Sequence, residues 1–278
     1  MLLSICSPVT LGDVYIDCDC ERVVETLCKI YNPFINRVEQ GHPDIRIRRH
    51  GDDYGDYIVG YSFDTYLCAS YPELIMLIYI ILEDAMANRL RVESVYHGGV
   101  VCRKNSALGL IAPTRTGKST LVAGMCANGY NYMSDDYICV SSCSGKIYAH
   151  QFPKPLVVRD LNVFDANMYQ YLAVTGKHII TGDPNYILCG FPDKTTLCPL
   201  KYVFFIERSR VPCVRIVSLS SGQAYKQLLL NSKRVLDIVP NRTASFKVAK
   251  AVKCFWLEYQ HWEQALERIN DTISRESA

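Results

Sequence analysis

Several things are missing from this sequence of 278 residues, and each absence removes a class of protein. No apolar run is long enough to span a bilayer. The longest, residues 74–82, holds nine residues between Glu73 and Glu83, whereas a spanning helix needs about 20. That run reads instead as a buried helix, and no membrane partner is expected. Charge of one sign is also missing. Thirty Lys and Arg stand against 28 Asp and Glu, a net +2, so there is no basic face of the kind that holds nucleic acid. None of the 13 cysteines forms a Cys-x-x-Cys pair, and no four-ligand zinc site can be assembled from them. Their odd number, the chain length and the lack of a signal peptide read as reduced thiols in a cytoplasm. No internal repeat, low-complexity tract or clear linker interrupts the chain. What is present is an ordinary globular composition, 49% apolar and 21% charged, with enough apolar material for a full core.

The pattern along the chain mixes short strands with helices. Residues 14–16, 44–49 and 57–59 read as strands, and Gly51-Asp-Asp-Tyr-Gly55 reads as a turn between the last two. Pro72 suits the first turn of a helix running to about Arg89. Residues 100–102 and 108–111 are strand-like and flank the polar turn 103–106. A loop over 112–117 leads into a helix from about Lys118 to Ala127, with Gly129 placed as its C-cap glycine. Residues 130–133 and 137–140 read as extended, with Ser134-Asp-Asp136 between them. Strands follow at 156–158, 202–206 and 214–217, and helices at 221–231 and 255–273. Residues 160–200 are rich in turns and carry no clear pattern. The expected division is an N-terminal α+β region over 1–92 and a larger domain over 93–278.

The loop Ala112-Pro-Thr-Arg-Thr-Gly-Lys-Ser-Thr120 carries the chemistry. A phosphate needs positive charge and several converging N–H donors, and a strand–loop–helix turn supplies both. Thr114, Arg115 and Thr116 belong to the cradle. Gly117 allows close approach of the backbone, Lys118 reaches the β- and γ-phosphates, Ser119 ligates Mg²⁺, and Thr120 contacts the α-phosphate. The expected ligands are ATP and Mg²⁺. Gly-Lys-Ser alone is a weak signal; the apolar strand before it and the capped helix after it discriminate. Ala112 replaces the first glycine of the motif, and alanine would be penalised by any positive φ there.

Seventeen residues beyond Ser119 lies Asp136, with Asp135 beside it. Phosphoryl transfer to a hydroxyl uses one carboxylate to accept the proton and another to help hold the metal. Adjacent residues of an extended segment point to opposite sides, so the two aspartates are expected to play different roles.

From Gly109 to Asp136, the sequence resembles the kinase core of HPr kinase/phosphorylase and its relatives, in which a P-loop and helix lead to a strand ending in Asp-Asp. The serine-to-aspartate spacing agrees, as does a histidine 22 residues before the serine, here His97 in His97-Gly-Gly-Val100. The resemblance implies an α/β fold with a P-loop kinase core of the HPr kinase/phosphoenolpyruvate carboxykinase-like type, preceded by a small α+β part. It implies that Asp136 activates the acceptor hydroxyl, that Asp135 supports the metal or the base, and that His97 lines the same site. Phe152-Pro-Lys-Pro-Leu156 and residues 199–208 look like segments of the smaller relatives from peptide biosynthesis, among them kinases of lasso-peptide precursors. Arg159 aligns with a family arginine near the phosphates, but Val157-Val158 stands where the family carries a magnesium-binding glutamate. Residues 1–90 do not resemble the usual N-terminal domain of that enzyme.

Three functions follow as alternatives. The first is a kinase acting on a serine of a peptide or small protein, possible also as a homo-oligomer. The second keeps the chemistry with a small-metabolite acceptor. The third is an ATP-binding module without transfer.

Overall fold

The computed structural model describes residues 1–7, 9–50, 56–158, 187–189, 196–233 and 241–277. They form a mixed α/β structure with six helices among the described residues, divided into two compact units. The first unit holds Met1–Arg91 and, among described residues, 153–158 and 187–189. The second holds Val92–Phe152 and the described residues from 196 onward.

In the first unit a six-stranded sheet is built from β1 (Leu2–Ile5), β2 (Val14–Cys18), β3 (Ile35–Val38), β4 (Ile45–His50), β5 (Asp56–Tyr61) and β6 (Asp64–Cys68). Their order is β3-β1-β2-β4-β5-β6, with β2 and β4 parallel and the other pairs antiparallel. Helix α1 (Glu21–Tyr31) buries Val23, Val24, Leu27, Ile30 and Tyr31, the three-and-four spacing of one helix face. Helix α2 (Tyr71–Ala87) contains the apolar run. Ser70 caps it by accepting from the Glu73 N–H, and the Glu73 carboxylate accepts from the Ala69 N–H, so the start is a reciprocal capping arrangement. Leu74, Ile75, Ile78, Ile81 and Leu82 are buried while Ile80 is exposed, so the run packs one face rather than its whole circumference. The turn expected at 51–55 lies outside the described residues.

The second unit holds a nine-stranded sheet. Its strands are β7 (Ser94–Tyr96), β8 (Gly98–Arg103), β9 (Ser106–Ile111), β10 (Asn131–Ser134), β11 (Ile138–Cys143), β12 (Lys146–His150), β15 (Leu197–Arg208), β16 (Val214–Ser218) and β17 (Lys253–Tyr259). The remaining described pair, β13 (Leu156–Val158) and β14 (Ile187–Cys189), forms a small antiparallel ribbon belonging to the first unit. The main order is β10-β8-β9-β15-β12-β11-β7, and β17 joins β15 to β16. The β8–β9 hairpin turns through Lys104 and Asn105, both at positive φ as a two-residue hairpin requires. Strand β15 is shared along its length. Leu197, Cys198 and Pro199 pair with β12, whereas residues from Leu200 on run parallel to β9 and to β17. Helices α3 (Lys118–Ala127), α4 (Ser221–Leu230), α5 (Arg242–Ala251) and α6 (Trp262–Ser277) complete this unit.

The helix expected over 255–273 is corrected. Residues 253–259 are strand β17, and the helix begins only at Trp262. Parallel pairing with β15 buries Phe255, Leu257 and Tyr259 on alternate positions, so tertiary pairing overrides the local pattern. Among the described residues no helix is long and apolar enough to cross a membrane.

Candidate nucleotide site

The site is positioned by β9, whose residues 107–111 are fully buried and hydrogen-bonded between β8 and β15. The chain leaves β9 through residues 112–117 and enters α3 at Lys118. Gly117 is the helix N-cap at φ +88, a left-handed conformation that suits glycine. Glycine is required there for space as well, since a Cβ would meet the Tyr259 hydroxyl at 2.7 Å. That hydroxyl donates to the Thr116 carbonyl at 3.3 Å, and the Thr116 hydroxyl donates to the Pro113 carbonyl at 2.7 Å. Ala112 is buried and is not among the positive-φ residues; the left-handed positions of this loop are Arg115 and Gly117. The first motif position therefore carries no conformational penalty for alanine.

No side chain caps α3, and its first turn holds no acidic residue. Its first N–H groups are thus offered to an anion, with the helix dipole favouring negative charge. Thr114 and Arg115 are exposed, and Thr116, Ser119 and Thr120 are half-buried. At the far end of α3, Gly129 adopts φ +84 just past the helix, and the Tyr130 N–H reaches back to the Met125 carbonyl.

The charged groups converge on Lys118, which is only 5% exposed. Its ammonium donates to Asp136 Oδ1 at 2.5 Å and lies 3.7 Å from Asp135 Oδ1. Ser119 Oγ donates to Asp135 Oδ2 at 2.6 Å, and Asp135 Oδ1 also accepts from the Asp136 N–H at 3.0 Å. His97 Nε2 stands 3.4 Å from the lysine Nζ and 3.8 Å from Asp136 Oδ1. One expectation is corrected here. The two aspartates do not face opposite sides, because Asp136 sits at φ +64 beyond the end of β10 and both carboxylates reach Lys118. Aspartate tolerates this left-handed conformation better than most residues. Their roles still differ by environment: Asp135 is buried against Ser119, while the Asp136 side chain is 28% exposed.

Two glycines of β8 make this approach possible. A Cβ at Gly99 would lie 2.6 Å from Val122 of α3 and 3.3 Å from Asp135 Oδ1. A Cβ at Gly98 would lie 2.5 Å from both the Leu110 carbonyl and the Ile138 side chain. The sequence His97-Gly-Gly-Val100 is thus a packing requirement as much as a chemical one.

His97 is held neutral near pH 7: burial first, then the Lys118 charge, push its pKa below the ordinary 6.5, with Asp136 opposing. Burial lowers His150 in the same direction. A histidine whose folded pKa is depressed binds its proton more readily in the unfolded chain, so stability rises with pH through the window below 6.5. Acidification from pH 7 towards 5 is therefore expected to lower the urea midpoint. Replacing His97 with glutamine should flatten that dependence, and an unchanged pH profile in the variant would remove His97 from this account.

The residues expected to bind nucleotide, Thr114, Arg115, Thr116, Gly117, Lys118, Ser119 and Thr120, occupy one loop and helix start. Asp135, Asp136 and His97 gather around Lys118. Arg159 lies outside the described residues. Residues without a sequence signal also reach this region. Tyr259 latches the loop, and burial pushes its hydroxyl pKa up to about 12, so it stays a neutral donor. Lys233 places its ammonium 3.4 Å from the centre of the Tyr137 ring, next to Asp136, and its charge also lowers His97. It arrives there because the Lys233 and His97 N–H groups bond to Val95 and Asn231 across the chain, a pairing no motif announces.

Among the described residues no three His, Cys, Asp or Glu side chains gather as a metal cluster. Ser119 Oγ and Asp135 nevertheless form a pair of hard oxygen donors. They fit Mg²⁺, which commonly takes one or two carboxylates and completes its shell with phosphate and water.

No family model matches the chain, and no curated protein matches it in sequence. Among solved structures, the HPr(Ser) kinase/phosphatase from Coxiella burnetii superposes with a TM-score of 0.35 at 7% identity, over 66% of this chain and 98% of that one. That superposition is loose.

Proposed function

We propose that this chain is an ATP- and Mg²⁺-dependent kinase that transfers the γ-phosphate to a serine hydroxyl of a peptide or small protein, with a natural-product precursor peptide as one such acceptor. The observation that carries the reading is the convergence of Lys118, Ser119, Asp135 and Asp136 at the open N-terminus of α3. The resemblance to HPr kinase-like enzymes around the loop and the Asp-Asp pair points the same way, and the free thiols of the described cysteines suit a cytoplasm.

In this mechanism the loop N–H groups hold the β-phosphate. Lys118 exchanges its partner, leaving Asp136 for the β- and γ-phosphates. Bound Mg²⁺, held by Ser119 and Asp135, would neutralise charge on the phosphates. Asp136, relieved of its ion pair, accepts the proton of the acceptor hydroxyl as that oxygen bonds to the γ-phosphorus and ADP leaves. Neutral His97 lines the site beside Lys118 and Asp136. Arg159 keeps the role implied by the resemblance, steadying charge on the transferring group.

The test is incubation with γ-labelled ATP, Mg²⁺ and two acceptor sets, serine-containing peptides and small hydroxylated metabolites. Phosphoserine is the expected product. Label on metabolites alone would replace the acceptor class, and ATP binding with no transfer to either set would sink the kinase reading.

A further inference from the structure

A cavity adjoins the loop, and neither Asp135 nor Asp136 lines it. It measures about 170 Å³ and is lined by Gly117 and Thr120 of the loop and helix, by Arg208 at the end of β15, by Gln260 and His261 between β17 and α6, and by Glu263 in the first turn of α6. None of the last four takes part in the transfer mechanism. We propose that this cavity holds the base of the nucleotide. The inference rests on the reading of the loop as a triphosphate site.

The direction of the bound triphosphate follows from the order of residues along α3. Lys118 and Ser119 meet the carboxylates, so the γ-phosphate lies at that end. Thr120 is one residue further on, takes the α-phosphate, and lines the cavity. Whatever is attached to the α-phosphate therefore leads into the cavity. The sheet gives the same direction independently. β9 has β8 and then β10, with the two aspartates, on one side, and the parallel strands β15 and β17 on the other. In parallel α/β sheets ligands settle beyond the carboxyl ends of the strands, where Arg208 and residues 259–263 stand.

Size and chemistry agree with a base. Pockets that enclose a drug-sized ligand measure roughly 300 Å³ or more. A space of about 170 Å³ accepts one flat ring system and leaves the ribose and phosphates outside. The Gln260 carbonyl and the Glu263 carboxylate are acceptors for an exocyclic amino group such as that of adenine, and Gln260 and His261 can donate to ring nitrogens. The floor is firm: Trp262 is buried against Gly124, where a Cβ would lie 2.5 Å from the indole ring, so α6 is packed onto α3.

Calorimetric titration of the whole chain in Mg²⁺ with ATP, UTP and inorganic tripolyphosphate tests this. ATP is expected to bind about tenfold or more tighter than tripolyphosphate. His261→Trp, an exposed position whose larger ring fills the cavity, should bring ATP down to the tripolyphosphate level while tripolyphosphate binds as before. Glu263→Ala, also exposed, should narrow the preference of ATP over UTP, and it decides the matter should His261→Trp lose both ligands. Equal binding of ATP and tripolyphosphate by the unaltered chain, or an ATP preference that survives both variants, overturns the base pocket and leaves the phosphate loop standing. Failure of ATP and tripolyphosphate alike to bind overturns the loop reading and the pocket with it.

Discussion

Asp136→Asn is expected to reduce phosphoryl transfer by roughly 10²–10⁴-fold, the usual contribution of a positioned general base, and to strengthen rather than weaken ATP binding. Loss of transfer follows because asparagine cannot accept the acceptor proton. The tighter binding follows from geometry: Asp136 holds the Lys118 ammonium at 2.5 Å, so the triphosphate must take that ammonium from a carboxylate. Asparagine keeps the shape, tolerates the left-handed backbone at φ +64, and releases the lysine at lower cost. Calorimetry for affinity and label transfer for rate separate the two effects. Full turnover by the variant would dismiss Asp136 as the base, and weakened ATP binding would dismiss the competition for Lys118.

Lys118→Met should have the opposite pattern, losing nucleotide affinity and stability together. Methionine keeps the length of the side chain but removes the charge that lies 3.7 Å from Asp135 and in contact with Asp136. Asp135 is only 2% exposed, and removing one partner of a buried charge pair costs about 3–5 kcal/mol. Asp136 is more open and can rehydrate, and Asp135 keeps its bonds from Ser119 and the Asp136 N–H, so the lower end, about 3 kcal/mol, is expected. The same variant should lose the stabilisation of about 2.7 kcal/mol that a ligand gives at one hundred times its Kd. Urea denaturation with and without Mg-ATP reads both quantities. A variant as stable as the parent, or still stabilised by ATP, would contradict the placement of Lys118.

The loop and α3 were legible because their chemistry is local: Gly117 is dictated by its left-handed backbone, Lys118 opens the helix, and Gly129 ends it. The strands at 100–102, 108–111 and 202–206 were legible from short apolar runs. β17 was not, since residues 255–259 become a strand only by pairing with β15, some 50 residues earlier. The relation of Asp135 to Asp136 was misread for a related reason. A period of two assumes continuous extension, and the left-handed turn at Asp136 breaks it. The cavity beside Thr120 was invisible because Arg208, Gln260, His261 and Glu263 meet there only through the folded sheet.

The position of β15 has a consequence for how the site comes into being. The loop's strand, β9, pairs along one edge with residues 200–205, more than 90 positions later in the chain, and the loop itself is latched by a hydroxyl 143 positions beyond Thr116. During synthesis the lysine, serine and both aspartates emerge long before either support exists. A nascent chain short of residue 259 would carry the full phosphate motif without its cradle, and pairings of such long sequence separation form late. On the proposed reading, nucleotide capture would depend on β15 and β17, the strands that complete the support of the loop.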